Sequence, residues 1–211
     1  MDKHLQFMEY EIAGNEDFFK HFCDKLGCKP VRNYDGEYMV LASPDFLYDY
    51  PERVVLIMPI KIICEEQEDL QGRKNIVYGI HLVRKVMNQT YDNSEYTSTA
   101  WNEYEGLISM YENKYGKAYI LYDNNIPSQN DKHSILNGYI NWNNTVGLTD
   151  EQKRDLRFLC ECRYSKIAQF KNELGRIYVG QSYLNDELHI VYIDNEAEQI
   201  GKKEYYFNKL I

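Results

Sequence analysis

The clearest indication of the fold class is the segment Arg176–Ile193, which reads RIYVGQSYLNDELHIVYI. It contains two runs rich in β-branched and aromatic residues, Arg176–Tyr183 and Leu188–Ile193, and such runs favour β-strands. The residues between the runs include Asn185 and Asp186, and both residue types favour turns. We therefore predict a β-hairpin near the carboxyl end of the chain.

Upstream of this hairpin, three segments have the spacing of amphipathic helices. Asn15–Leu26 starts with a capping residue and stops before Gly27. Ser98–Tyr115 repeats apolar residues at steps of three and four. Thr149–Leu174 opens with a Thr and a Gln three positions apart, the pattern of a capping box. The sequence predicts a helix over each of the three segments.

Apolar and β-branched runs predict further strands between and after the helices. These strands are Tyr38–Ala42, Arg53–Cys64, Asn75–Met87, Lys117–Tyr122 and a short final one at Tyr205–Phe207. The latter half of Asn75–Met87 also fits a helix. Pro59 lies inside one of them, which predicts an edge position, a bulge or a break at that residue. Because strands and helices do not alternate strictly, we expect an α+β fold with a mixed or mainly antiparallel sheet packed with about three main helices.

Length and composition describe one globular domain over residues 1–211, and the segment 123–148 is where a subdivision would fall. The amino terminus lacks the pattern of a signal peptide, and no apolar run is long enough to cross a bilayer. Five cysteines, an odd number, favour free thiols in a reducing cytoplasm. Abundant Asn, Lys, Ile and Tyr favour a low-GC bacterium or a phage, in which case the protein would act in the host cytoplasm.

The chain is acidic and rich in tyrosine. It has 33 acidic and 24 basic residues, a formal charge of -9, and 20 tyrosines. Phosphate backbones repel such a protein, so direct nucleic-acid binding is disfavoured and a basic protein partner is favoured. Tyrosine offers a large rigid contact surface, and carboxylates steer a basic partner towards it.

These features predict a non-enzymatic inhibitor that binds a basic, nucleic-acid-handling protein in bacterial or phage defence, anti-defence or toxin immunity. Two stretches mix acids with tyrosine most densely, Asp45–Glu52 and Tyr91–Glu105. The predicted contact residues are Asp45, Tyr48, Asp49, Tyr50, Glu52, Asp92, Glu95, Tyr96 and Glu103.

The third predicted helix reverses the sign of the charge. Its basic residues lie off the predicted apolar face and are Lys153, Arg154, Arg157, Lys166 and Lys171. Such a patch is most often a solvated face that is partly paired with acids. It would otherwise dock an acidic partner, an RNA or the acidic half of a second copy of the chain, so a homo-oligomer stays an alternative.

The alternative to a binding protein is a hydrolytic enzyme of an unrecognised family. His81 and His189 lie in predicted strands, where a rigidly held imidazole could act as a base with carboxylates brought near by the fold. Phosphate-binding glycine motifs are absent, so no cofactor is expected. The cysteine spacing does not match a zinc site, so no metal is expected.

Overall fold

The fold is α+β, as the sequence predicts. A computed structural model describes eight ranges of the chain: residues 4–32, 38–42, 55–62, 76–85, 96–123, 148–159, 164–182 and 187–209. Within these ranges there are four α-helices, three of them seven residues or longer, together with a large antiparallel sheet.

The elements are numbered in chain order. The strands are β1 (Gln6–Phe7), β2 (Tyr10–Glu11), β3 (Gly14–Asn15), β4 (Lys29–Arg32), β5 (Tyr38–Ala42), β6 (Val55–Ile62), β7 (Ile76–Lys85), β8 (Tyr119–Asp123), β9 (Tyr164–Lys171), β10 (Gly175–Ser182) and β11 (Glu187–Asp194). The helices are α1 (Glu16–Lys25), α2 (Tyr96–Tyr115), α3 (Asp150–Asp155), a 3-10 turn (Leu156–Leu159) and α4 (Asn195–Lys209).

Hydrogen-bonded neighbours in the large sheet follow the order β4-β5-β6-β7-β11-β10-β9-β8, and β3 also pairs with β7. The pairs β4/β5, β5/β6, β3/β7 and β8/β9 are antiparallel. Strands β1 and β2 form a separate antiparallel pair. Strands β8 and β4 therefore stand at the two ends of the strand order.

The chain divides into two compact units, and the first comprises residues 1–82, 172–176 and 192–211. Its core is aromatic: the Phe7 ring lies 6.4 Å from that of Phe22 and 5.5 Å from that of Tyr192. Backbones approach closely here, because a Cβ at Gly79 would overlap the carbonyl oxygen of Tyr192. Glycine at that position is thus a steric requirement.

The second unit comprises residues 83–171 and 177–191. Helix α2 buries Tyr104, Leu107, Ile108 and Tyr111, and the Tyr111 ring meets that of Phe170 edge-on at 5.6 Å. All eight residues of β10 are buried, although its first two belong to the first unit. The prediction of one domain over the whole chain stays a prediction.

Most of the predicted elements are confirmed. Helix α1 begins after Asn15, whose side chain accepts a hydrogen bond from the Phe18 amide at 2.8 Å. Strands β5, β6, β7 and β8, helix α2 and the two strands of the carboxyl-terminal hairpin lie where the sequence predicts them. The predicted turn residues Asn185 and Asp186, and most of segment 123–148, lie outside the described residues.

The prediction of one long helix over Thr149–Leu174 is wrong. The capping box forms, but α3 ends at Asp155, the 3-10 turn ends at Leu159, and Tyr164–Lys171 is a strand. Five consecutive residues of β9, 166 to 170, are buried, which requires cover on both faces of the sheet. The apolar residues of this segment fit a helical spacing as well as a buried strand, and pairing with β8 and β10 decides between them.

Two smaller predictions also differ from the structure. Tyr205–Phe207 is not a strand, because it continues α4, which runs unbroken from Asn195. Pro59 lies in an interior strand without a break, since β6 has neighbours on both sides. Pairing of β6 with β5 involves residues 55 to 57, so Pro59 lies beyond the part of β6 that this ladder uses.

None of the helices in the described ranges combines the length and the apolar character needed to span a membrane.

Candidate functional site

Most of the predicted partner-binding residues lie outside the described residues. This holds for Asp45–Glu52, Asp92 and Glu95. Tyr96 is the first residue of α2. Glu103 lies on the same helix, and its carboxylate is 3.5 Å from the guanidinium of the buried Arg84. Glu103 therefore balances a buried cation, which is a structural role for a residue predicted to contact a partner.

The predicted basic patch does not form on one helix. Lys153, Arg154 and Arg157 lie on α3 and the 3-10 turn, whereas Lys166 and Lys171 lie on β9. This corrects the prediction, which rested on a helix continuing to Leu174. Of these side chains, that of Arg157 is exposed and that of Lys166 is buried.

Two of the patch lysines are paired with acids inside their own unit. The Lys166 ammonium lies 2.6 Å from the Glu105 carboxylate and 5.5 Å from the centre of the Tyr104 ring. The Lys171 ammonium lies 2.7 Å from the Glu151 carboxylate. Acids thus compensate both charges locally, as the interpretation of a partly paired face requires, but the buried Lys166 does not lie on a solvated face.

Acidic residues outnumber basic ones in several of the segments that connect the helices and strands.

Three of these segments follow one another along the chain, and we call them the acidic connections: 43–54 between β5 and β6, 63–75 between β6 and β7, and 86–95 between β7 and α2. Together they hold 9 acidic and 3 basic residues. Two of them contain predicted contact residues. The third, with Glu65, Glu66, Glu68 and Asp69, adds acids that the prediction had left out.

His189, one of the two candidate bases, is paired with a carboxylate on its own strand. Its Nε2 atom lies 3.2 Å from an oxygen of Glu187, two residues earlier on β11. The ring is buried, with 4% of the residue exposed. Burial lowers the pKa of His189, although the neighbouring Glu187 carboxylate partly opposes this shift. The imidazole therefore favours its neutral form, the form in which a base acts.

His81, the other candidate, lies on β7 and is half-buried. It belongs to the first unit and His189 to the second. The structure thus supports a histidine–carboxylate pair at His189, while the catalytic role of either histidine stays a prediction.

A buried hydrogen-bond chain runs through the second unit. Gln152 donates to Gln169 at 2.8 Å, Gln169 donates to the Tyr178 hydroxyl at 2.9 Å, and that hydroxyl donates to Asp155 at 2.7 Å. Every link points towards the carboxylate, an order that strengthens each bond by polarisation. Gln152 also accepts from the Thr149 amide, so the capping box that the sequence reveals is the start of this chain.

A second buried cluster, in the first unit, centres on Asp194 at the end of β11. Its carboxylate accepts from the Leu5 amide at 2.7 Å and the Ala197 amide at 2.8 Å, and it lies 3.2 Å from Nδ1 of His4. The bond to Ala197 caps α4, and the bond to Leu5 holds the amino-terminal segment. An Asp directly before a helix is the sequence pattern that signals such a cap.

Helix α4 also carries Glu198, the ion-pair partner of the buried Arg176. Arg176 is 2% exposed, and its guanidinium donates to Glu198 at 2.9 Å and to Asn195 at 2.6 Å. Glu198 also accepts from Lys202 at 2.6 Å. This cluster joins β10 to α4 through charge-assisted hydrogen bonds, which makes a structural role its plain interpretation.

The described cysteines are core residues. Cys23 and Cys28 are free and buried, and the Cys28 amide donates to the Cys23 carbonyl at 2.9 Å. Burial raises the pKa of Cys23 to about 12 and that of Cys28 to about 11. Within the described ranges, no group of three or more His, Cys, Asp or Glu side chains is arranged to hold a metal ion.

No protein-family model matches the sequence, and comparison with curated proteins and with solved structures found no significant match.

Proposed function

We propose that the protein binds a basic protein partner through its acidic connections and inhibits it. The observation that carries this proposal is the composition of the acidic connections, which hold 9 acidic and 3 basic residues. Acids that serve the fold are matched to bases, as Glu105 is to Lys166 and Glu198 is to Arg176.

The chemistry of these segments fits a partner that handles nucleic acids. Carboxylates spaced along a chain can occupy the positions that phosphates take on a basic surface. Tyr48, Tyr50 and Tyr91 add rigid aromatic contacts between the acids. A nuclease or other nucleic-acid-binding protein of bacterial or phage defence, anti-defence or toxin immunity would present such a surface, in the cytoplasm of a bacterium or of a phage-infected host.

The test compares two triple variants with the same change in net charge. In the first, Asp45→Asn, Asp49→Asn and Glu52→Gln neutralise one acidic connection. In the second, Asp17→Asn, Asp24→Asn and Glu173→Gln neutralise exposed acids of the described elements. Tagged wild type and both variants are used to capture proteins from the native host, and the bound proteins are quantified by mass spectrometry.

We expect a basic protein that binds the wild type and the second variant, loses at least about tenfold in affinity for the first, and dissociates as salt rises. The purified partner should lose its own activity when the wild type is added. Equal binding to both variants, or binding that is insensitive to salt, would contradict the proposal.

A second candidate function, hydrolysis, is favoured by one observation: the contact between His189 and Glu187. Its test is His189→Gln, assayed on chromogenic phosphate and acyl esters. His21→Gln, at an exposed histidine of α1, is the matched control. A wild-type activity that His189→Gln abolishes would support an enzyme, and an activity that survives this change would exclude His189 as its base.

A further inference from the structure

Strand β8 stands at one end of the strand order and exposes apolar side chains. Its neighbour among the described strands is β9. Tyr119 is 63% exposed and Ile120 is 43% exposed. The run 118–122, AYILY, contains no charged residue. An uncharged edge strand with large exposed apolar residues is a template for pairing with another strand.

From this edge we infer that the protein forms a homodimer in which β8 of one copy pairs antiparallel with β8 of a second copy, centred on Ile120. The charges that flank the run favour this partner. Lys117 lies three residues before Ile120, and Asp123 lies three residues after it. In the proposed register, each lysine is opposite the aspartate of the other copy, so the edge is complementary to itself.

Strand β8 also contains a β-bulge, and bulges are one means by which proteins protect a sheet edge from pairing with another strand. The position of this bulge therefore bears on the inference. The register with β9 shifts between Ile120 and Tyr122. The two most exposed apolar residues of the strand, Tyr119 and Ile120, precede the shift and pair with β9 regularly. Tyr119 and Ile120 thus keep regular strand geometry, whereas Leu121 to Asp123 lie at or beyond the shift. Since two short strands bury less area than a standard interface, the dimer should be weak and depend on concentration.

The first experiment measures molecular mass by sedimentation equilibrium over a series of protein concentrations. Ile120→Lys places two like charges opposite each other at the centre of the proposed contact, so we expect the variant to stay monomeric. Ile200→Lys is the matched control, since Ile200 is 42% exposed on α4. It should dimerise as the wild type does. A wild type that stays monomeric at every concentration would overturn the inference, as would a dimer that Ile120→Lys leaves unchanged.

The second experiment tests the register by exchanging charges. Lys117→Asp and Asp123→Lys each place like charges opposite one another and should weaken self-association by roughly tenfold. When the two variants are mixed, both pairs become attractive again, so we expect the heterodimer to form in preference to either homodimer. Circular dichroism of each variant confirms that the fold is retained. Folded variants that associate no better when mixed than alone would overturn the register.

This inference is independent of the proposed function, because β8 lies outside the acidic connections. If the Ile120→Lys variant binds the basic partner as the wild type does, partner binding does not use β8. This result would hold whether or not the protein forms the dimer.

Discussion

Single buried residues in this protein hold several backbone groups at once. Asp194 is 0% exposed and accepts two backbone amides, one from the start of α4 and one from Leu5. A buried amide that loses its acceptor retains the cost of its desolvation. The importance of Asp194 therefore comes from the two donors it would leave behind.

We predict that Asp194→Ala lowers the free energy of unfolding by roughly 2–4 kcal/mol, since it removes a helix cap and leaves a second amide without its acceptor. Asp17→Ala should change it by less than about 0.5 kcal/mol, because the Asp17 side chain is 80% exposed. Urea denaturation followed by circular dichroism measures both. A loss below about 1 kcal/mol for Asp194→Ala would contradict the capping role.

The buried thiols make the free energy of unfolding depend on pH in the alkaline range. The pKa of Cys23 rises from 9.0 to about 12 in the folded protein, chiefly through burial, so the native state keeps a proton that the unfolded state loses. The stabilisation is complete below pH 9 and is lost as pH rises towards 12. We predict that Cys23→Ala flattens this part of the curve, measured as the urea midpoint against pH.

The same shift predicts slow alkylation. At pH 8.5, iodoacetamide should modify Cys23 and Cys28 far more slowly in the folded protein than in urea, because the thiolate is the reactive form. Peptide mapping by mass spectrometry measures this rate. Equal rates in the two states would show that the thiols are not buried.

At the scale of elements, the segment after Thr149 shows where sequence patterns stop being sufficient. The capping box is a local arrangement of Thr149 and Gln152, and it forms as predicted. The element after it depends on partners distant in sequence: Gln169 on β9 bonds to Tyr178 on β10, and β9 pairs with β8. A helical spacing of apolar residues cannot reveal a sheet that lies on both sides of them.

We predict that Tyr178→Phe lowers the free energy of unfolding by about 1–3 kcal/mol, because it removes the buried hydroxyl that accepts from Gln169 and donates to Asp155. Tyr119→Phe removes the same hydroxyl from a residue that is 63% exposed and should have almost no effect. Thermal unfolding compares the two variants. Equal stability of both would show that the buried chain contributes nothing.

At the scale of the whole molecule, burial predicts where the sheet is most stable. Every residue of β10 is buried, and the strand lies between β11 and β9. In strand β8, at the end of the order, Tyr119 and Ile120 are exposed and Leu121 and Tyr122 are half-buried. Stability in a sheet follows burial and hydrogen bonding, so the two strands should differ in how often they open.

We predict that native-state hydrogen exchange is slowest in β10 and the adjoining β11, and at least about tenfold faster in β8 at low protein concentration. Nuclear magnetic resonance or mass spectrometry measures these rates. If the dimer forms, the protection of β8 should increase with protein concentration while that of β10 stays constant. Strands β8 and β10 exchanging at the same slow rate in the monomer would contradict this prediction.

The amino-acid sequence is sufficient to predict what local chemistry controls: the cap at Asn15, the capping box at Thr149, the apolar spacing of α2 and the hairpin strands at the carboxyl end. It also shows the surplus of acids, which is a matter of composition. The burial of Lys166 beside Glu105 on a strand is seen only in the folded chain, because that pairing joins residues 61 positions apart. Local sequence patterns carry no information about partners so distant in the chain. Burial against such partners makes a strand of a predicted helical segment, and it places a lysine predicted for a basic patch in a buried ion pair.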